Sequence, residues 1–176
     1  GATFTVDPNP FTGAGILTVV DNGANDSNPV PGQITVSSAL LATYTITETV
    51  SPAGFALDDD VDRVVTVSAA ELDAVVGTMG VIDPGNTDES DFFNRLGSIS
   101  WEKRREDTNA LQGGATFDIL PNPWTGAGPA LSVTDNGPND SNPADGQIVV
   151  NNVLLGNYTI SEIVSPSGFC LDNDNT

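Results

Sequence analysis

Short runs in which apolar and polar residues alternate, rich in Val, Ile, Thr, Tyr and Phe, recur from one end of the chain to the other. Asn-Gly, Pro-Asn-Pro and Pro-x-Gly turns stand between them, so the pattern predicts antiparallel strands and an all-β sandwich. One stretch departs from period two. Ser68-Ala69-Ala70-Glu71 has capping-box spacing ahead of Leu72, Val75 and Val76, with Gly77 placed as a stop, which predicts a short helical insertion over 69–76.

The alternation is also repeated at long range. GATFTVDPNPFTGAG at Gly1–Gly15 returns as GATFDILPNPWTGAG at Gly114–Gly128, and DNGANDSNP at Asp21–Pro29 as DNGPNDSNP at Asp135–Pro143. YTITETVSPAGFALD at Tyr44–Asp58 returns as YTISEIVSPSGFCLD at Tyr158–Asp172. The chain thus reads as one repeat of about 113 residues followed by the first part of another. The expected domains are 1–97 and 98–176, the first without its opening strand and the second without its closing ones. Between Asp91 and Arg105 there is no Pro- or Ser-rich linker, so the last strand of one unit is expected to run almost directly into the first of the next.

Strand parity singles out four polar residues. In Ile99-Ser100-Trp101-Glu102-Lys103 the apolar face is Ile99 and Trp101, and Lys103, the chain's one lysine, shares it. Glu48 falls in the row of Tyr44, Ile46 and Val50. Glu162 falls in that of Tyr158, Ile160 and Val164, and Asn94 lies between Phe92 and Leu96. Burying a lone ammonium or carboxylate costs several kcal/mol, so such groups pair or lose their charge. An uncharged amine beside a protonated glutamate and an asparagine amide is a reactive set. The amine can attack the amide carbon while the glutamate polarises the carbonyl and shuttles protons; loss of ammonia leaves a Lys–Asn isopeptide bond. Folding itself supplies the proximity.

Composition narrows the alternatives. Twenty-four Asp and Glu against five Lys and Arg give a net charge of −19, which excludes nucleic acid and anionic membrane surfaces as partners. With no His and a single Cys, there is no Ser-His or Cys-His pair, no imidazole-ligated zinc and no internal disulfide. No apolar run is long enough to span a bilayer. A hydrolase built on paired carboxylates ranks last, because no Glu pair is spaced as a motif.

The run ISWEKRRED...LQGGATFDI, the strand YTISEIVSPSGF and the segment DFFNRLGSI together resemble the Cna B-type domains of bacterial surface proteins and pilins, also called SpaA-like or prealbumin-like. The resemblance covers essentially the whole chain and implies tandem immunoglobulin-like or prealbumin-like β-sandwiches. It also implies a bond between a Lys on the first strand and an Asn or Asp on the last, with a Glu between them as catalyst. By position Lys103 is then the nucleophile and Glu162 the catalyst of the second unit, while Glu48 is the catalyst and Asn94 the acceptor of the first. Neither set of three is complete within the chain. The missing strands are expected from neighbouring repeats, or from other copies joined head to tail by strand donation.

The implied role is a shaft or fibre at the cell surface, outside the cell, with no enzymatic turnover. An adhesin module whose loops bind a ligand is the alternative, but near-identical loops in the two copies favour the shaft. The acidic loops also suggest calcium, with Asp21, Asp26, Asp58, Asp60, Asp135 and Asp140 as candidate oxygen ligands. Asp-Asn-Gly is equally ordinary turn chemistry, so no cofactor is required. Cys170 replaces Ala56 of the other copy, which suits a small structural residue, and Phe11 and Trp124 share one turn position that suits packing over the sheet.

Overall fold

The computed structural model describes residues 1–78, 80–85 and 87–171. The chain divides into two compact units, Gly1–Arg95 and Leu96–Thr176. All regular structure among the described residues is β, and no helix is long and apolar enough to cross a membrane.

The first unit holds β1 (Thr3–Asp7), β2 (Leu17–Val20), β3 (Ala42–Val50) and β4 (Asp62–Val67), in one antiparallel sheet of order β2-β1-β3-β4. Inward-facing Val6, Leu17, Val19 and Tyr44 form its core, with Ile34, Val36, Ile46, Val65 and Val67 packed around them. The second unit holds β5 (Gly97–Glu102), β6 (Thr116–Leu120), β7 (Leu131–Thr134), β8 (Gln147–Val153) and β9 (Thr159–Val164). Here a β5-β8 pair and a β7-β6-β9 sheet close over a shared core of Phe117, Ile119, Leu131, Val133, Ile148 and Val150. Ile99 and Trp101 of β5 pack against it, and the Trp101 ring meets Phe117 edge to face at 5.3 Å. This unit is a β-sandwich.

The two units repeat each other in detail. β1 and β6 share one burial pattern, as do β2 and β7. Phe4 pairs with Glu48 as Phe117 pairs with Glu162. The Tyr158 hydroxyl donates to Leu154 O at 2.6 Å, and that of Tyr44 to Leu40 O, tying each strand back to the loop before it. They differ at one place. Gln147–Val153 is a strand because β5 lies alongside it, whereas residues 33–39, its sequence counterpart, have no ladder partner among the described residues and form no strand.

The helix expected over 69–76 does not form. Ser68 and Glu71 exchange both backbone hydrogen bonds, at 2.9 and 3.1 Å, and close a tight turn around Ala69 and Ala70. The Ser68 hydroxyl still accepts from the Glu71 N–H at 3.2 Å, so the cap contact exists without a helix behind it. Leu72 and Val75 are 68% and 47% exposed; with no surface to bury an apolar stripe, a helix this short has nothing to sustain it.

Candidate functional site

Each unit carries one deeply buried glutamate, and the same backbone irregularity puts it there. The β1–β3 register shifts between Thr3, opposite Val50, and Phe4, opposite Glu48, leaving Thr49 as an extra residue. The β6–β9 register shifts identically, with Ile163 as the extra residue between Val164 and Glu162. Such a bulge re-aims the side chains beside it. It keeps Glu48 and Glu162 inward, 2% and 3% exposed, and turns Val50 and Val164 outward, at 56% and 53%. The row expected to include both valines therefore ends at the glutamate.

In the first unit the Asn94 side-chain amide donates to both carboxylate oxygens of Glu48, at 2.9 and 2.8 Å. Asn94 lies on an extended segment rather than on a full strand; the one bridge beside it pairs Arg95 with Ala56 of the loop between β3 and β4. In the second unit the Lys103 ammonium donates to Glu162 Oε2 at 2.9 Å, with the lysine side chain only 19% exposed. Lys103 follows β5 and keeps its alternation, inward like Ile99 and Trp101 while Ser98, Ser100 and Glu102 face out. Its backbone is held as well: its N–H donates to Gly146 O and its carbonyl accepts from Gln112 N–H, both at 2.9 Å. Gly146, at φ 73°, cannot be replaced without displacing this clasp, because a Cβ there would lie 2.8 Å from Lys103 O and 2.6 Å from Gln112 N. Lys103 with Glu162, and Asn94 with Glu48, thus form two pairs, one in each unit.

Arg63 is a participant that sequence reasoning missed. It lies on β4 opposite Ile46, is fully buried, and shares strand parity with Val65 and Val67, which was the signal that could have found it. Asp58, weighed above as a calcium ligand, is its partner at 3.2 Å and also accepts the Phe93 N–H at 2.8 Å. Burial pushes the Asp58 carboxyl up, but the Phe93, Asp60 and Asp59 N–H groups and the Arg63 charge outweigh that and hold it below its ordinary value. Asp60 lies 3.8 Å from the same guanidinium.

The remaining acidic candidates serve their own loops. Asp26 accepts from the N–H groups of Asn22, Asn28 and Thr35, and Asp140 from those of Asn136, Asn142 and Val149, all between 2.9 and 3.0 Å. Asp21 accepts from Gly32 N–H, and Asp135 from Gly114 and Gly146 N–H. Burial pushes Asp26 up, yet its three N–H donors leave it below its ordinary value. Among the described residues no three His, Cys, Asp or Glu side chains converge as a metal site. Asp26→Ala and Asp140→Ala should each cost the unit that carries it about 2 kcal/mol, because three backbone donors lose a charged acceptor. Thermal melts should place both losses equally with and without calcium; a calcium-dependent difference would return these loops to metal binding.

Trp124 is 43% exposed and donates its indole N–H to Asn151 O at 3.0 Å, so it lies against β8, while Phe11 is 46% exposed. Cys170 is exposed and its thiol is free.

Comparison with known proteins bears on the second unit. No curated protein matches the chain. A streptococcal ancillary pilin of known structure is similar over 98% of this chain and 50% of its own, at 18% identity and a TM-score of 0.35. The chain therefore spans half the length of that pilin. Residues 97–176 match the model of the SpaA family, described as a prealbumin-like fold domain. These residues hold the β5–β9 sandwich and the Lys103–Glu162 pair, and it is the second unit that is similar to the SpaA prealbumin-like fold domain.

Proposed function

We propose that the chain is a structural segment of an extracellular shaft or fibre at the cell surface, pilus-like in kind, whose tandem domains are stiffened by Lys–Asn isopeptide bonds. One observation carries this reading: two glutamates buried at the same register in two repeats hold opposite halves of an amide-forming set, Asn94 in one and Lys103 in the other. A buried ion pair is a poor source of stability by itself, so its placement beside a repeated bulge points to chemistry.

The step needs no outside reactant. Lys103 gives a proton to Glu162 across their 2.9 Å contact, and the free amine attacks the side-chain carbonyl carbon of an asparagine. As the new C–N bond forms, the glutamate's proton passes to the departing nitrogen and the attacking nitrogen returns one to the carboxylate; the old C–N bond breaks and ammonia leaves. This is a single self-modification, not turnover. The asparagine for Lys103 and the amine for Asn94 come from a neighbouring repeat or another copy, added as a strand at the sheet edge. The acidic loops support a shaft over an adhesive surface, since Asp26 and Asp140 make matching hydrogen bonds in both units.

The test lengthens the second unit. Asp172 is the counterpart of Asp58, so joining residues 63–97 after Thr176 continues the repeat in register and offers a second copy of Asn94 to Lys103. Intact mass after denaturation should show the extended chain lighter by one ammonia, with Lys103→Arg and Glu162→Gln versions at full mass. A folded extended chain at full mass would sink the isopeptide reading.

A further inference from the structure

We propose that Arg63 is the positioning residue of the first unit, the side chain that presents Asn94 to Glu48; the proposal rests on the reading of that pair as half of an amide-forming site. Asn94 itself sits on a segment with almost no ladder. Something other than sheet pairing must hold it. Residues 90–92, shortly before it, are all held by one guanidinium. Arg63 Nε donates to Ser90 O at 3.0 Å and Nη2 to Asp91 O at 2.9 Å. Its central carbon, Cζ, lies over the Phe92 ring, 4.6 Å from its centre, and that ring meets Phe4 of β1 edge to face at 5.1 Å.

The remaining donors tie the same group to the loop entering β4. Nη1 donates to Asp60 O and Asp62 O, both at 2.8 Å, and Nη2 also reaches Asp58 Oδ2 at 3.2 Å. Asp58 Oδ2 in turn accepts from Phe93 N–H, the residue next to Asn94. A guanidinium has five N–H donors in a rigid fork, and each of these five finds an acceptor while the whole side chain is buried. A structural arginine on an exposed strand needs none of this. Here three successive residues of the acceptor segment, Ser90, Asp91 and Phe92, are held from one point, so the chain leaves Phe93 with Asn94 aimed at Glu48.

Lysine keeps the charge but cannot reproduce the fork. In the full chain, hydrogen exchange of the Asn94 side-chain amide should therefore accelerate about tenfold in Arg63→Lys, while backbone amides of β1 and β3 keep their protection. If Arg63→Lys does not fold, Asp58→Asn serves as the second variant: it leaves the guanidinium in place, weakens the shared acceptor, and should give a smaller acceleration of the same kind. Arg95→Ala removes a half-exposed neighbouring cation and should leave Asn94 as slow as in the parent. Unchanged Asn94 exchange in a folded Arg63→Lys or Asp58→Asn chain overturns the proposal, and so does equal acceleration by Arg95→Ala. Exchange reads the clamp without any covalent step, so full mass in the extended chain would remove the isopeptide reading and leave this result standing.

Discussion

Lys103→Met should destabilise the second unit by about 3 kcal/mol, and the double change with Glu162→Leu should recover most of that loss. Glu162 is 3% exposed and Lys103 donates to it at 2.9 Å, so deleting the ammonium leaves a carboxylate in the interior without its cation. Removing both charges removes the desolvation penalty with them, and apolar side chains can pack where Ile99, Trp101 and Phe117 already lie. Both tryptophans, Trp101 and Trp124, belong to the second unit, so urea unfolding followed by their fluorescence reports that unit alone. If the double variant is as unstable as the sum of the two singles, the pair is not energetically coupled and its placement needs another explanation.

The same side chains show which parts of this architecture a sequence reveals. Parity worked for Lys103, because β5 alternates without interruption and carries its rhythm one residue past the strand end. It worked for Glu48 and Glu162 but failed for Val50 and Val164, because a one-residue bulge reverses every face beyond it and leaves no mark in hydropathy. The capping-box reading of Ser68 and Glu71 failed for a different reason. The hydroxyl-to-amide contact belongs equally to a turn, and only burial of a neighbouring stripe would have selected a helix.

Arg63 was legible in principle from its place in the row with Val65 and Val67. What hid it is that a buried arginine becomes plausible only when its acceptors are known, and four of the five are backbone carbonyls, from Ser90, Asp91, Asp60 and Asp62, that no composition reveals. Asp58 looked like a metal ligand for the complementary reason. Its sequence neighbours Asp59 and Asp60 are acidic, while its spatial neighbours are a guanidinium and an amide N–H.

Asp58→Ala should be among the most damaging single changes in the first unit, costing about 3 to 5 kcal/mol, since it leaves the fully buried Arg63 charge without its nearest carboxylate and Phe93 N–H without an acceptor. Acid should act on the same contact. The Asp58 carboxyl is held below its ordinary value when folded, so near pH 4 the unfolded chain binds more protons than the folded one. The stability Asp58 contributes is therefore complete above its unfolded value and is lost as the pH falls through the lower, folded one. Asp26, also lowered, adds a loss of the same sign in the same unit. General charge works the other way, because protonating carboxylates relieves the self-repulsion of a chain at −19. A first unit that weakens below about pH 4 despite that relief points to these specific contacts. Amide signals of β1 and β3 followed under mild denaturant should fade in that range in the parent, and the acid limb should be shallower in Asp58→Asn, which starts from a lower stability. Identical acid limbs in the two chains would show that Asp58 does not anchor Arg63 by its charge.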